Sequence, residues 1–521
     1  MNILASYAPA EKTSDLKMMK NDLKTKRGDY YKNIIMTTMC VFFAVIFLWI
    51  AQVLVVTDNW IHEHFGKIGF DSILFTITNP LEGKASAILA RLYICKLVSA
   101  TGIAIFFGII LVVLSKKKGR LFRIIQTILM VLTVPYLIWA IYSVNLQYKF
   151  IEYYFDNTQT STFIDDNYAF VKIEDVVFPE NKRNLILILL ESAENTFNDT
   201  SIFNEPLMPH LAQLKKERLD FDRQYQMSGT GWSIGGITAY LFGLPLRLPA
   251  GMYGNSMSLH KNFLPGAVSL LDVLEANGYR IVMTKGAIAA HAGTDKLFYN
   301  HAKTTEIYDW RYFKTTQADA KNHPLEWRWG LPDIYVYEKT KTYLAKLDTS
   351  KPFFLMFITV DTHTTADHDA HVYTAERKYG DRRDAFIAAD DMAYNFLSWL
   401  QKQNFYDNTT VIIMGDHLLM SQDMGPIKLP PPKADQRDIY NVIINPVVKP
   451  DYPEELTHKR AFASFDMAPT ILESIGAKLP ERRFGMGSSL FSSQPTLLEK
   501  YGVEKYQAEI NKRSKLYDSF H

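Results

Sequence analysis

Three apolar runs in this 521-residue chain end on side chains that could do chemistry. The run NLILILLE ends on Glu191, FFLMFITVDTH on Asp361, Thr362 and His363, and TTVIIMGDH on Asp416 and His417. Glu191, Asp416 and His417 offer carboxylate oxygens and imidazole nitrogen, a donor set suited to a divalent metal of the zinc or manganese type. A fourth stretch, residues 226–246, reads QMSGTGWSIGGITAYLFGLPL. Gly229 and Gly231 flank Thr230 and let the chain bend sharply. Trp232, Ile234, Ile237, Leu241 and Leu244 then recur at mostly helical spacing, which predicts a helix with Thr230 at its N-terminus. Free N–H groups and the positive dipole end there suit an oxygen nucleophile that attacks a phosphate. Taken singly, each residue has a plainer reading. Thr230 could be an N-cap, Glu191 a helix cap, Asp416 a turn residue and His417 a satisfied core histidine. It is their joint occurrence at strand ends that argues for a site, with the Thr230 oxygen as a fourth metal ligand.

The elements that must position these groups follow from the pattern. Short continuous apolar runs alternate with helical segments, the mark of a parallel sheet covered on both faces. Candidate strands are 185–190, 280–283, 353–360, 410–414 and 441–447. Candidate helices are 208–217, 267–277, 333–347, 385–402 and 466–475. In such a sheet functional groups collect just past the C-terminal strand ends, where Glu191, His363, Asp416 and His417 fall. The tail from Gln494 reads as one more surface helix.

The N-terminal part is different. Residues 33–56 carry no charge, 97–114 form a second uncharged run, and 124–144 make a third, with Pro135 as a kink. Basic residues cluster in the N-terminal segment and at Lys116, Lys117, Lys118, Arg120 and Arg123 between the second and third runs. The positive-inside rule puts both on the cytoplasmic side, so three spans place everything after Val144 outside. The outer loop 57–90, with Trp60, Phe65, Phe70, Ile73 and Leu74, reads as an element on the outer surface. The expected organisation is a cytoplasmic segment 1–32, a transmembrane domain 33–145 and a connector 146–182. An extracytoplasmic catalytic domain 183–492 and a tail 493–521 follow. Net charge is +2, so nothing suggests a nucleic-acid partner. Both cysteines, Cys40 and Cys95, lie in the apolar segments, so the rest of the chain has no disulfide and no Cys-ligated zinc.

The stretches ILLESAENTF, GTGWSIGGITAYLFGLPL, TVDTH, TVIIMGDHLLM, SFDMAPTILESIGA and FGMGSSL resemble the alkaline phosphatase superfamily. Within it they resemble the lipid-dependent phosphoglycerol transferases, of the glucan-modifying type and more distantly lipoteichoic acid synthase. The resemblance covers about residues 183–491 and implies an alkaline-phosphatase-like α/β fold, a mostly parallel sheet between helices, preceded by about three transmembrane helices. It implies that Glu191, Asp416 and His417 bind a metal, Mn2+ or Zn2+, that Thr230 is the metal-bound nucleophile, and that His363 contacts the phosphate. Phosphatidylglycerol would be the donor and an extracytoplasmic glycan or other polyol the acceptor, at the bacterial cytoplasmic membrane. One stretch departs from the pattern. Lipoteichoic acid synthases carry Trp-Asn-Arg-Asp where this chain has Ala292-Gly293-Thr294-Asp295, similar to the Ala-Gly-x-Asp run of the glucan-modifying branch. That argues against lipoteichoic acid as product and leaves His291 and Asp295 as candidate substrate-binding residues, with Thr294 and Asn300 as further partners for a diol. WRWGLPD (327–333) matches a structural helix start of the family. A sulfatase nucleophile would need Cys or Ser in a Cys/Ser-x-Pro-x-Arg run, whereas Thr230 precedes Gly-Trp-Ser. The alternatives are a phosphoethanolamine transferase or a lipid phosphodiesterase of the same superfamily. The phosphoethanolamine transferases staple their soluble domain with disulfides, which this chain lacks.

Overall fold

The computed structural model describes all residues except 1–10, 66–69, 71–72, 74–83, 118, 248–256, 258–259, 317–329, 364–377, 421–422, 425 and 431–436. The chain divides into two compact units: residues 1–60 with 90–147, and 61–89 with 148–521.

The first unit is built from α1 (Glu11–Phe65), α2 (Lys84–Lys116) and α3 (Arg120–Tyr148). Among the described residues these are the three helices long and apolar enough to cross a membrane. Small residues are prominent in their contact surfaces: Ala44, Ala51, Ala100, Ala104 and Ala140 are buried, with Leu111, Gln126 and Thr133, while Phe42, Val98, Phe106, Ile138 and other large apolar side chains are exposed. Close backbone approach through small residues is how helices associate where lipid removes the hydrophobic drive between them. Polar cross-links add to it: the Trp49 indole donates to Thr101 Oγ1 (3.1 Å), and Gln52 Nε2 donates to the Tyr136 hydroxyl (3.0 Å). Pro135 lies inside α3.

The second unit holds a six-stranded sheet with β1 (Asn184–Leu190), β2 (Arg280–Lys285), β3 (Glu306–Tyr308), β4 (Phe353–Ile358), β5 (Thr409–Gly415) and β6 (Asn441–Ile444), in the order β3-β2-β4-β1-β5-β6. All neighbours run parallel except β5–β6, which is antiparallel. The sheet is thus mostly parallel, with one reversed edge. Strands alternate their side chains between faces. Leu185, Leu187 and Leu189 accordingly join one apolar core, and Ile186, Ile188 and Leu190 the other. Every β1 residue is buried, which is why the run reads as continuously apolar.

Around the sheet lie α4 (Phe150–Thr158), α5 (Pro209–Glu217), α6 (Ser233–Phe242), α7 (Leu270–Ala276), α8 (Thr294–His301), α9 (Asp333–Leu344), α10 (Arg382–Leu400), α11 (Met467–Ser474) and α12 (Val503–Asn511). The candidate strands and helices all occur, with ends shifted by a few residues. The short edge strand β3 lacks an apolar run and was not expected.

Two expectations fail. The tail is three short helices, Leu497–Tyr501, α12 and Lys515–Asp518, rather than one surface helix. Tyr506, Ile510, Tyr517 and Phe520 are buried, so a tail with few apolar residues uses nearly all of them to pack on the domain. The second failure concerns Thr230. Helix α6 starts at Ser233 with Trp232 as N-cap, so Thr230 sits in the turn before the helix. Much of the outer loop (66–69, 71–72, 74–83) and the start of the WRWGLPD stretch (327–329) lie outside the described residues.

Candidate metal centre and phosphate site

β1, β4 and β5 are adjacent and parallel, so their C-terminal ends lie side by side. Glu191 follows β1 directly, and Asp416 and His417 follow β5. All three are buried, and each can offer one ligand atom within 4.8 Å of the other two. His417 Nε2 lies 3.4 Å from Glu191 Oε1 and 3.6 Å from Asp416 Oδ2.

The backbone of this corner is held by threonines. The Glu191 N–H donates to Thr359 Oγ1 (2.8 Å), and Thr362 Oγ1 donates to the Glu191 carbonyl (2.5 Å). Asp333, at the start of α9, accepts from the Val360 and Asp361 N–H groups and fixes the loop that carries these threonines and His363. Ser192 turns the chain away from Glu191 at a left-handed φ of 57°. Such a conformation is costly for a non-glycine residue and persists only where its surroundings hold it. Here the Ser192 N–H donates to Asp416 Oδ1 (2.8 Å), and its hydroxyl donates to Glu191 Oε1 (2.7 Å).

Asp416 Oδ1 takes two backbone N–H donors, from Ser192 and His417. Its other oxygen, Oδ2, is buried and accepts no hydrogen bond. A carbonyl can only accept, so the His417 Nδ1 that faces the Leu418 carbonyl (2.8 Å) is protonated. That tautomer directs Nε2 at the two carboxylates, the arrangement in which a backbone carbonyl orients a metal-ligating imidazole. An orphaned carboxylate oxygen, a second buried carboxylate and an oriented imidazole fit a divalent cation. Burial pulls the His417 pKa down, but Asp416 and Glu191 outweigh it and raise it to about 10, so Nε2 carries a proton between the two carboxylates unless a cation takes that proton's place. Burial and the Glu191 charge push Asp416 up to about 6. Burial opposes ionisation of Glu191, yet His417, with a smaller contribution from His363, holds it below the usual carboxylate range.

Thr230 is fully buried. Its hydroxyl donates to the Met227 carbonyl (2.8 Å) and accepts from the Met227 N–H (3.1 Å). Two glycines seat this turn and the cluster against the first turn of α6. A Cβ on Gly235 would lie 2.5 Å from the Gly229 carbonyl oxygen, and one on Gly236 would lie 2.1 Å from that of Asp416. Neither position admits a side chain. Ser233, the first α6 residue, donates to Glu191 Oε2 (3.1 Å) and links the helix start to the cluster.

Two groups escaped the sequence reading. Lys285, at the end of β2, is buried; burial lowers its pKa, against the pull of Glu191, Asp416 and Asp309. A lysine closing a buried apolar strand was the available signal. The second is the fully buried ion pair of Glu194 and Arg437, with Nε to Oε2 at 2.6 Å. Arg437 also donates to the Leu419 carbonyl, and Glu194 accepts from the Leu419 N–H, so the pair pins the loop just past His417. Glu194 was legible as a motif residue, but its partner lies 243 positions away.

His291 feels the charges of Lys285 and His363. Burial, then these two groups, lowers its pKa to about 4. Asp295 instead accepts locally, from the Lys296 N–H at the start of α8. Thr294 donates to the His291 carbonyl. Asn300 accepts from the Phe263 N–H and lines a cavity of about 310 Å³ with Asp272 and His301. His291 shares the electrostatic partners Lys285 and His363 with the cluster.

A mostly parallel sheet with an acidic and imidazole cluster at the C-terminal ends of its strands defines an α/β protein with a candidate divalent-metal site. The chain belongs to the sulfatase family, whose pattern matches residues 183–477. It is similar to phosphoglycerol transferase I of Escherichia coli O6:K15:H31 (strain 536 / UPEC), 26% identical over 431 residues, 81% of this chain and 53% of the relative. The chain thus spans about half the length of the curated relatives it matches. Among solved structures, the lipoteichoic acid synthase LtaP from Listeria monocytogenes is 18% identical, with 64% of this chain and 81% of that chain covered and a TM-score of 0.49. The lipooligosaccharide phosphoethanolamine transferase A (EptA) from Neisseria meningitidis is 13% identical, with 85% and 87% covered and a TM-score of 0.48.

Proposed function

We propose that this chain is a membrane-anchored phosphoglycerol transferase. It moves phosphoglycerol from phosphatidylglycerol to a hydroxyl of an extracytoplasmic glycan through a phosphoglyceryl-Thr230 intermediate. The observation that carries this reading is the buried Glu191–Asp416–His417 cluster, packed beside the α6 start that follows the Thr230 turn.

In this reading Glu191, Asp416, His417 and the Thr230 oxygen hold Mn2+ or Zn2+. When bound, the ion supplies Lewis acidity that favours the Thr230 alkoxide and offsets phosphoryl charge. Thr230 gives up its proton, and the Met227 N–H remains as a donor to the alkoxide oxygen. The Thr230 oxygen bonds to phosphorus, the bond to the diacylglycerol oxygen breaks, and that oxygen leaves as a hydroxyl, taking up the proton that Thr230 gave up. Lys285 and His363 stabilise charge on the phosphoryl oxygens, and His291 hydrogen-bonds the glycerol hydroxyls. The acceptor hydroxyl then attacks the same phosphorus, the bond from phosphorus to the Thr230 oxygen breaks, and the acceptor's proton restores the Thr230 hydroxyl.

Sulfate-ester hydrolysis is not part of this reading, because Thr230 stands where a sulfatase needs its modified Cys or Ser. The basic loop between α2 and α3 supports a cytoplasmic side there, and hence a catalytic unit on the outer face of a bacterial cytoplasmic membrane. The test is mass spectrometry of the Thr230 peptide after incubating the full chain with phosphatidylglycerol. A phosphoglycerol adduct on Thr230, absent in Thr230→Ala, is expected. An unmodified peptide alongside diacylglycerol release would overturn the intermediate. Faster diacylglycerol release from phosphatidylethanolamine would overturn the donor.

A further inference from the structure

Helix α4, Phe150–Thr158, is nine residues long and starts one residue after α3 ends at Tyr148. One side of α4 is packed: the Phe70 ring lies 6.1 Å from Phe150 and 5.2 Å from Tyr153, and α4 also packs on α12. The adjoining side carries Ile151, Tyr154 and Phe155, the i, i+3, i+4 spacing of one helix face. Tyr154 is 65% and Phe155 57% exposed, and their rings meet edge-on at 5.9 Å. Two neighbouring aromatic rings held in water are an unusual outcome for a helix otherwise anchored to its domain.

We infer that the Tyr154–Phe155 face of α4 seats in the headgroup layer of the membrane that α3 leaves. Covalent continuity selects lipid over a protein partner. Only Lys149 separates α4 from a helix long and apolar enough to span, and one extended residue reaches about 3.5 Å. The first turn of α4 is therefore confined to the depth at which a bilayer gives way to water. Aromatic side chains, tyrosine especially, favour that depth because the ring is apolar and the hydroxyl can stay hydrated. Glu152, exposed on the same helix, stays toward water and keeps α4 from sinking into the hydrocarbon. The inference concerns how the second unit meets lipid, and it does not depend on which group the enzyme transfers.

The test uses the full chain with Cys40→Ser and Cys95→Ser, reconstituted in vesicles of phosphatidylcholine and phosphatidylglycerol. Spin labels are placed one at a time at Tyr154→Cys, Phe155→Cys and, as a water-exposed reference, Tyr394→Cys. Collision with oxygen, which concentrates in lipid, is compared with collision with a water-soluble nickel chelate. The oxygen-to-nickel ratio at 154 and 155 should exceed that at 394 several-fold. A ratio equal to that at 394 places the face in water and overturns the inference. Exclusion of both colliders marks a protein contact and overturns it equally. The readout needs no turnover, so its failure is separable from failure of the transferase reading. If both hold, Tyr154→Asp with Phe155→Asp should slow turnover of bilayer donor more than of a short-chain soluble one.

Discussion

Among the described residues, three groups of two carboxylates and one histidine bring their ligand atoms together, and two of these groups have met different fates. Glu191, Asp416 and His417 can bring their ligand atoms together, and so can Asp220, Asp222 and His458. In the second cluster a cation is already in place. Lys215 Nζ lies 3.1 Å from Asp220 Oδ2 and 2.8 Å from Asp222 Oδ1, and His458 is half exposed. Burial pulls the Lys215 pKa down, but Asp220 and Asp222 overcome it, so the ammonium stays charged. In the first cluster all three residues are buried; Asp416 Oδ2 and Asp220 Oδ2 alike accept no hydrogen bond, but Asp220 Oδ2 has the Lys215 ammonium at 3.1 Å. The difference teaches that carboxylates and a histidine in proximity say little by themselves. What matters is whether the fold supplies the neutralising charge or leaves a position for one.

The comparison breaks most sharply at Thr230, which only the first cluster has beside it. Thr230→Ala should reduce turnover by at least ~10³-fold. The fold should survive, because the lost hydrogen bonds to Met227 cost about 1–3 kcal/mol. Near-normal turnover in a folded variant would remove the nucleophile. Asp416→Asn or His417→Ala should abolish bound divalent metal by elemental analysis and lower activity by roughly 10²–10³-fold. Asp222→Asn and His458→Ala should leave metal content and activity within about twofold, since exposed ion pairs contribute little. Loss of metal from the second pair of variants would erase the distinction.

Removing a buried neutralising charge tests the same logic through stability. Arg437→Ala should destabilise the domain by about 3–5 kcal/mol in denaturant titrations, because Glu194 is left buried and unpaired. Lys215→Met should destabilise it too, and millimolar divalent cation should restore part of the loss by occupying the vacated position. No cation effect on that variant would show that the second cluster cannot hold an ion.

The smallest effect concerns pH. The folded His291 pKa, near 4, lies below its ordinary value of 6.5. Its contribution to stability is therefore present above about pH 6.5 and is lost as pH falls toward 4, where protonating the buried ring opposes folding. His291→Gln should flatten the pH dependence of the melting temperature in that window. An unchanged slope would mean that other groups dominate it.

The alternation of apolar runs with helical segments was enough to expect a mostly parallel sheet. Uncharged stretches were enough to expect three long apolar helices. Both are local patterns, dictated by which faces must be buried. The positions of Glu191, Asp416 and His417 were legible for the same reason: polar residues that follow a buried strand mark its C-terminal end, whereas His363 lies in the loop beyond Ile358. What sequence could not decide depended on distant partners. Thr230 was expected at a helix N-terminus, but the helix starts at Ser233 with Trp232 as its N-cap, and Gly235 and Gly236 pack closely on the Thr230 turn and on Asp416. Lys215 and Asp220 are near in sequence, yet nothing local foretold that the lysine would fill that cluster while Asp416 was left with an orphaned oxygen. Arg437 reaches Glu194 across 243 residues. Residue types and periodicity thus determined which chemistry the chain could carry and at which edge. Tertiary packing decided which charges were neutralised, because a buried charge is settled by whatever the rest of the fold brings against it.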